Sequence, residues 1–330
     1  MNLLTFGKNK KACVVTHIDL DGVSCVILFK IYLEHIFLSV DYIFVTYDEL
    51  LAIDKNIFCK YDCVIFTDIA PDVTLYEFLK HKSIITFIFD HHITSYSTLY
   101  DYDALLEQVV YYHYNITICG TKILYDYLLL CGAPEYKNVK QYVMLVNTYD
   151  CWDTQSQYFS VAKDLHNVLM GTTKWSEVNS YYKFSKFIAV QLYKFQLADY
   201  FYFTAQEKSI IQESNKKEMQ ALLEAKSTLQ FRIDNQGNKY AYFYCNSKLS
   251  ITASSLLQEY PDLKYIVCHS TYNDKNGMLE PTLSLRSNNS FDVSEIAKQY
   301  GGGGHYNASG ITFKNYDFFL KFHKGEVHLI

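Results

Sequence analysis

The stretch FIFDHH, residues 87–92, joins an apolar run directly to an acid and two imidazoles. Short apolar runs of this kind are typical of buried strands. In open α/β sheets, ligands bind just beyond the carboxyl ends of the strands. The pattern therefore predicts that Asp90, His91 and His92 stand at a sheet edge suited to a reaction, although two surface histidines after a core strand would give the same sequence.

Three earlier runs, residues 12–16, 42–46 and 62–67, also have the composition of strands, and helical patterns alternate with them. This alternation predicts βαβ units and a mainly parallel sheet, whose strands all end at the same edge. Every run except the second is followed by carboxylates or imidazoles. We therefore expect these side chains to converge: His17, Asp19, Asp21, Asp68, His91 and His92.

Several of these acids have simpler explanations. Asp19 or Asp21 would serve as a helix N-cap, and Asp68 would fit a turn. A later candidate, Asp150, lies where a predicted helix ends, and Asp153 competes with it as a ligand. The whole set nevertheless exceeds what capping and turns require.

Carboxylates favour Mg²⁺ or Mn²⁺ as ligands, and imidazole moves the preference toward Mn²⁺, Fe²⁺ or Zn²⁺. The predicted cluster has enough ligands for two ions that share a bridging carboxylate. Two ions about 3.5–4 Å apart are the arrangement used for in-line displacement at phosphorus. The cluster therefore predicts phosphoryl chemistry.

From residue 231 onward the pattern changes to a hairpin over residues 231–245, followed by short helices and strands. This change predicts a second, α+β domain. Arginine occurs only at Arg232 and Arg286. Arg232 lies within a predicted strand and is interpreted as structural. Arg286, close to Ser284, would grip a phosphate bidentately or form a surface salt bridge.

A run of four glycines at residues 301–304 precedes a histidine. Consecutive glycines allow several N–H groups to point at one anion, and a flexible turn is the alternative. The residues predicted to bind an anion here are Gly302, Gly303, Gly304 and His305.

Composition limits the classes of partner and compartment. The chain has 330 residues, 49% hydrophobic and 20% charged, with a net charge of −5 and a pI of about 6.1. Surfaces that track long nucleic acid are usually basic, so we expect no long duplex partner, whereas a short anionic ligand is compatible. Nine cysteines without a CxxC pair suit a reducing cytoplasm. Without a signal-peptide core or an uninterrupted apolar span, we expect a cytoplasmic protein that does not enter the membrane.

Taken in order, these motifs resemble those of the DHH phosphoesterase superfamily. The matching motifs are HIDLDG at 17–22, Asp68, DHH at 90–92, Asp150, SLRS at 284–287 and GGGGHYNASG at 301–310. The last two resemble the DHH-associated C-terminal substrate domain. The HxDxDG form of the first motif is most similar to the nanoRNase and cyclic-nucleotide phosphodiesterase branch.

The resemblance implies a role for each matching residue. Two divalent ions, Mn²⁺ first and Mg²⁺ or Co²⁺ as alternatives, would be bound by His17, Asp19, Asp21, Asp68, His91 and Asp150. Asp68 would bridge them, Asp90 would orient His91, and His92 would face the scissile phosphate, so that Asp68, Asp90 and His92 take part in catalysis. The substrate's phosphate or terminal nucleotide would be held by Ser284, Arg286, Gly302, Gly303, Gly304 and His305.

The implied architecture is a DHH domain over residues 1–170, a helical linker over 171–229 and a substrate-binding domain over 230–330, with the active site in the cleft between domains. The implied function is hydrolysis of very short single-stranded RNA, or of small dinucleotide signals, to 5′-mononucleotides, and a homodimer is compatible with it. The alternatives are a phosphatase acting on 3′-phosphoadenosine 5′-phosphate and a nucleotide-sequestering protein without turnover.

Overall fold

The computed structural model of the chain describes residues 2–92, 110–115, 117–177, 180–245, 247–273, 279–288, 291–313 and 316–326. Its strands are β1 Lys11–Thr16, β2 Ser39–Phe44, β3 Cys63–Thr67, β4 Ile85–Asp90, β5 Val110–Tyr114, β6 Gln230–Ile233, β7 Lys239–Tyr244, β8 Tyr265–Asn273, β9 Leu279–Ser287, β10 Gly303–His305 and β11 Ala308–Thr312. Its α-helices are α1 Leu3–Phe6, α2 Leu20–Tyr32, α3 Tyr47–Leu51, α4 Val73–His81, α5 Gly120–Leu130, α6 Lys137–Asp150, α7 Phe159–Thr172, α8 Ser180–Leu197, α9 Ala205–Thr228, α10 Leu249–Glu259, α11 Val293–Gln299 and α12 Tyr316–Lys324.

The chain divides into two compact units, Met1–Ile211 and Gln212–Ile330, called the first and second unit below. Helix α9 contains the point of division. The domain limits at residues 170 and 229 stay predictions. Among the described helices, none combines the length and the apolar composition that crossing a bilayer requires.

A parallel sheet in the order β2-β1-β3-β4-β5 forms the centre of the first unit. On β1, Ala12 and Val14 face one hydrophobic cluster while Cys13 and Val15 face another. Helices α2 and α5 to α8 contribute to the first cluster, and α3 and α4 to the second. Burial on both faces explains why these strands read as continuous apolar runs. The predicted mainly parallel sheet flanked by helices is confirmed.

A mixed sheet in the order β10-β11-β9-β8-β7-β6 forms the second unit. Strands β6 and β7 are the predicted antiparallel hairpin. Arg232, on β6, donates hydrogen bonds to the carbonyls of Phe322 (2.7 Å) and His323 (2.8 Å) and lies over the ring of Tyr242. Arg232 thus attaches α12 to the sheet, in agreement with its structural interpretation. The predicted smaller domain with strands and helices is confirmed.

A buried ion pair joins α8 to the start of α9. Lys194 and Glu207 are almost fully buried, and the Lys194 Nζ lies 3.1 Å from both carboxylate oxygens of Glu207. Gln191 donates to the same carboxylate at 2.8 Å, and Glu207 also accepts the backbone N–H of Thr204. Burial lowers the pKa of Lys194, and the Glu207 charge opposes that shift. The pair is therefore a stabilising contact only while both partners are present.

Replacing Lys194 with methionine should leave the Glu207 carboxylate buried without a cation. We expect Lys194→Met to lower the free energy of unfolding of the first unit by about 3 kcal/mol. Glu207→Gln removes the charge and keeps a side chain that caps the helix, so the double variant should recover part of the loss. Trp152 and Trp175 are the two tryptophans of the chain, and both belong to this unit. Their fluorescence during urea unfolding measures the effect, and a single variant as stable as the wild type would contradict it.

Candidate active site

The turn after β1 positions the first two candidate residues. Asp19 caps α2 by accepting the N–H of Gly22 at 3.0 Å, and its second carboxylate oxygen lies 2.9 Å from Nδ1 of His17. A Cβ on Gly22 would stand 2.3 Å from the carbonyl oxygen of His17, so only glycine fits this turn. Burial acts to raise the pKa of Asp19, but the hydrogen bond and charge of His17 lower it well below its usual range.

Asp21 is fully buried in the first turn of α2 and binds the N-terminus of α5. Its two carboxylate oxygens accept the backbone N–H groups of Gly120 at 2.6 Å and Thr121 at 2.8 Å. Helix N-termini carry partial positive charge and stabilise such carboxylates. The Nε2 atom of His91 lies 4.0 Å from the same side chain. Asp21 therefore fixes α5 against the end of β1.

Asp68 stands at the centre of the cluster, directly after β3. Its backbone has a φ of 55°, a left-handed conformation that is uncommon outside glycine and is found at functional sites. The side chain is 1% exposed, and neither carboxylate oxygen has a hydrogen-bond partner among the described residues. Burial and three nearby carboxylates raise its pKa well above the usual range.

Three imidazoles surround the carboxylate of Asp68. Its Oδ1 lies 3.3 Å from Nε2 of His91 and 3.9 Å from Nδ1 of His92, and its Oδ2 lies 3.7 Å from Nδ1 of His17. Asp68 thus faces histidines from the ends of two different strands, β1 and β4.

Asp150 completes the cluster from the last residue of α6. Its Oδ2 lies 3.5 Å from Nε2 of His91, and burial raises its pKa well above the usual range. Burial lowers the pKa of His91. Asp153, the competing candidate, is exposed and lies outside the groups described below. The structure therefore brings Asp150, and not Asp153, to the cluster.

Asp90 orients a different ring from the one predicted. Its Oδ1 lies 2.8 Å from Nδ1 of His92, and the bond to His91 comes from the backbone N–H at 2.9 Å. The imidazole of His91 instead faces other carboxylates. Asp90 is the last residue of β4, so its side chain reaches the histidine two positions on.

Three overlapping groups of side chains each bring their ligand atoms within 4.8 Å of one another. They are His17, Asp19 and Asp68; Asp21, His91 and Asp150; and Asp68, His91 and His92. Oxygen and imidazole donors in this proportion suit divalent cations such as Mn²⁺. The unpartnered, buried carboxylate of Asp68 fits a bound cation, because an isolated buried charge is costly. Which residues bind which ion stays a prediction.

Sequence reasoning missed Tyr47, the first residue of α3. Its ring centroid lies 5.4 Å from that of His17 and 5.6 Å from that of His92. Burial, followed by the charges of the neighbouring aspartates, raises the pKa of its hydroxyl. The run at residues 42–46 was the predicted strand to which no site residue was assigned, and the helix after it contributes Tyr47 to the cluster. No sequence pattern around Tyr47 distinguishes it from the other tyrosines of the chain.

Ser284 and Arg286 lie on β9 of the second unit. The guanidinium of Arg286 donates to the carbonyl of Leu285 at 2.9 Å and makes longer contacts with Ser309 and Ser250. Among the described residues, no carboxylate forms an ion pair with Arg286, which argues against the salt-bridge interpretation. Its charge is therefore balanced by neutral oxygens and is suited to an anionic ligand.

Part of the glycine run is used within the fold, and anion binding by the run stays a prediction. Gly301 and Gly302 donate their N–H groups to the carbonyls of Lys298 and Ala297 and so terminate α11. A Cβ on Gly302 would stand 2.1 Å from the carbonyl oxygen of Gly310. The remaining predicted residues, Gly303, Gly304 and His305, form β10 and pair with β11. The close approach of the Gly310 backbone explains why residue 302 is a glycine. Its N–H already donates to the carbonyl of Ala297 and is not available to an anion.

Comparison with known proteins agrees with this geometry. Residues 237–328 match the model of the DHHA1 domain. The chain is 27% identical to oligoribonuclease NrnB of Bacillus subtilis over 318 residues, 92% of this chain and 74% of that protein. It is 25% identical to the 3′,5′-cyclic-nucleotide phosphodiesterase of Helicobacter pylori over 332 residues, 90% of this chain and 91% of that protein. These matches support the predicted resemblance to DHH phosphoesterases, with a DHHA1 domain at residues 237–328.

The similarity in fold extends to more distant structures. The crystal structure of exonuclease RecJ bound to manganese has a TM-score of 0.57 with this chain at 12% identity, covering 99% of this chain and 91% of that one. At this level of identity the likeness shows the fold alone.

Gly120 offers a test of how tightly the cluster is built. A Cβ there would stand 3.0 Å from Oδ2 of Asp21 and 3.1 Å from Cα of Asp68. We expect Gly120→Ala to fold and to weaken Mn²⁺ binding about tenfold, because misplaced partners of metal ligands cost 10- to 100-fold. Calorimetric titration measures the change. Leu130→Ala, at the exposed opposite end of α5, is the control, and equal Mn²⁺ affinity in all three proteins would contradict the expectation.

Proposed function

We propose that this protein is a two-metal phosphodiesterase of the DHH type that hydrolyses very short oligoribonucleotides to 5′-mononucleotides. The observation that carries the proposal is the carboxylate of Asp68, which is buried, has no hydrogen-bond partner among the described residues, and belongs to two of the three groups of side chains that could hold a cation. A bridging carboxylate between two ions is the arrangement that serves in-line displacement at phosphorus.

In this proposal His17, Asp19 and Asp68 hold one divalent cation, and Asp21, His91 and Asp150 hold the second with Asp68. Such cations, when bound, activate a water and neutralise charge that develops on phosphoryl oxygens. We propose Mn²⁺, because mixed carboxylate and imidazole donors favour it over Mg²⁺. The manganese in the RecJ structure is consistent with this choice.

The remaining polar residues are proposed to position the phosphate. Asp90 fixes the imidazole of His92 through the 2.8 Å contact at Nδ1. A ring held in this way presents its other edge in one orientation, which suits a donor to the scissile phosphate. In the second unit we propose that Arg286 binds a further anionic group of the substrate, because its guanidinium has no carboxylate partner among the described residues.

Two features support short RNA as the substrate. Oligoribonuclease NrnB of Bacillus subtilis matches 92% of this chain. The net charge of −5 disfavours binding of long nucleic acid. A second candidate is the hydrolysis of a small cyclic nucleotide or dinucleotide. It is favoured by the similarity to the cyclic-nucleotide phosphodiesterase of Helicobacter pylori, which this chain matches over 91% of that protein's length. Both candidates use the same bond type and the same cluster.

Product analysis tests the proposal. The purified protein with Mn²⁺ is given RNA of two to five nucleotides, matched DNA, a longer RNA, cyclic mono- and dinucleotides, 3′-phosphoadenosine 5′-phosphate and pyrophosphate. We expect 5′-mononucleotides to accumulate from the short RNAs and production to stop with EDTA, and end-labelled RNA then shows the direction of attack. Consumption of a cyclic nucleotide alone would favour the second candidate. Nucleotide binding without turnover of any compound would favour a sequestering protein instead.

Asp150 and Asp153 provide a matched pair for the metal assignment. Asp150→Asn should lower kcat by more than about 100-fold, because even the removal of groups that support metal ligands costs 10- to 100-fold. Asp153→Asn, three residues away and exposed, should stay within about twofold of the wild type, as surface changes usually do. Equal activities of the two variants would contradict the proposed ligand set.

Arg286 is tested separately. Arg286→Ala should raise KM about tenfold and leave kcat nearly unchanged, if the guanidinium binds the ground state and the transition state equally. Arg286→Lys keeps the charge but cannot form the paired hydrogen bonds of a guanidinium. Its KM should lie between those of the wild type and Arg286→Ala. Unchanged KM in Arg286→Ala would show that its contacts with Leu285 and Ser309 are structural only.

A further inference from the structure

Tyr47 lies beside two imidazoles of the cluster. Its ring lies between the imidazoles of His17 and His92, tilted by 45° to the first and nearly perpendicular to the second. These two histidines come from the ends of β1 and β4. The tyrosine therefore reaches the cluster from the end of a third strand, β2.

The backbone at Tyr47 is fixed by a capping box. The side chain of Thr46 accepts the N–H of Glu49 at 3.3 Å, and the carboxylate of Glu49 accepts the N–H of Thr46 at 2.8 Å. Reciprocal bonds of this type define the entry of the chain into a helix. Tyr47 and Asp48 lie between Thr46 and Glu49, so the backbone that carries the Tyr47 ring has a defined conformation.

The hydroxyl of Tyr47 makes no hydrogen bond with the described residues, and the residue is 38% exposed. A tyrosine hydroxyl can donate and is protonated at neutral pH. The carboxylates of the cluster, when ionised, only accept. A phosphate entering this site therefore meets few groups that can donate to it, and Tyr47 is one of them.

We propose that Tyr47 is a catalytic residue whose hydroxyl donates a hydrogen bond to a non-bridging oxygen of the substrate phosphate. The inference rests on the proposed phosphodiesterase function. A pre-positioned donor aimed at an oxygen that gains charge lowers the barrier without any reorganisation. A role confined to packing the two imidazoles is the alternative, and it requires the ring but not the hydroxyl.

Tyr47→Phe separates the two roles, because it removes the hydroxyl and keeps the ring. We expect kcat/KM to fall about 100-fold, the usual effect of removing one such donor. The fall should be equal for a trinucleotide RNA and for bis(p-nitrophenyl) phosphate, since a non-bridging oxygen is present in both. The rise in Tm on adding Mn²⁺ should equal that of the wild type. Tyr193→Phe, on an exposed part of α8, is the control and should change nothing.

The outcomes are distinguishable. If the wild type hydrolyses neither compound, the proposed function fails and the inference fails with it. If the wild type is active and Tyr47→Phe stays within twofold of it, only the role of Tyr47 is overturned. If kcat/KM of Tyr47→Phe falls for the RNA alone, the hydroxyl donates to the leaving oxygen instead. That result would overturn the assignment of the hydrogen bond to a non-bridging oxygen. A smaller Mn²⁺-induced rise in Tm would show that Tyr47 acts through the ligands and would likewise overturn it.

Discussion

The burial of Asp68 is the constraint on which the first unit depends. A carboxylate without hydrogen bonds, surrounded by other carboxylates, is unfavourable unless positive charge lies beside it. The protein places three imidazoles within 3.9 Å of it. The position of β3 in the middle of the sheet, between β1 and β4, makes this possible, because the histidines follow the two neighbouring strands. A bound cation, as proposed, would complete this arrangement.

Two buried aspartates in the cluster are treated in different ways. Asp21 has both oxygens bound to the N-terminus of α5, which supplies two N–H groups and the positive end of the helix dipole. Asp68 receives no such bonds among the described residues. The first carboxylate is therefore stabilised by the protein and can support structure as well as ligation. The second is left dependent on neighbouring histidines and on a cation, which makes it the more sensitive position of the two.

The sequence predicted the elements that burial and topology determine. Strands buried on both faces read as continuous apolar runs, and parallel pairing forces their ends to one edge, so the residues after β1, β3 and β4 were predictable. The choice between Asp150 and Asp153 was not, because it depends on where α6 ends. Strand β5 escaped prediction because its sequence, VYYHY, contains mostly aromatic residues and no aliphatic alternation. The packing of Gly302 against the backbone of Gly310 was not predictable, because glycine permits both an open loop and a close backbone contact.

Charge also bears on the proposed two-metal scheme. A substrate phosphate is anionic, and the cluster contains Asp19, Asp21, Asp68 and Asp150. Burial and the neighbouring carboxylates raise the pKa values of Asp68 and Asp150, which favours their neutral forms while no cation is present. Asp19 stays ionised, because the hydrogen bond and charge of His17 outweigh burial and lower its pKa, and an ionised carboxylate repels a phosphate at short range. A bound cation would favour the ionised ligands and offset this repulsion, so in the proposed scheme cation binding would precede productive substrate binding. A neutral donor such as Tyr47 would then assist without adding charge.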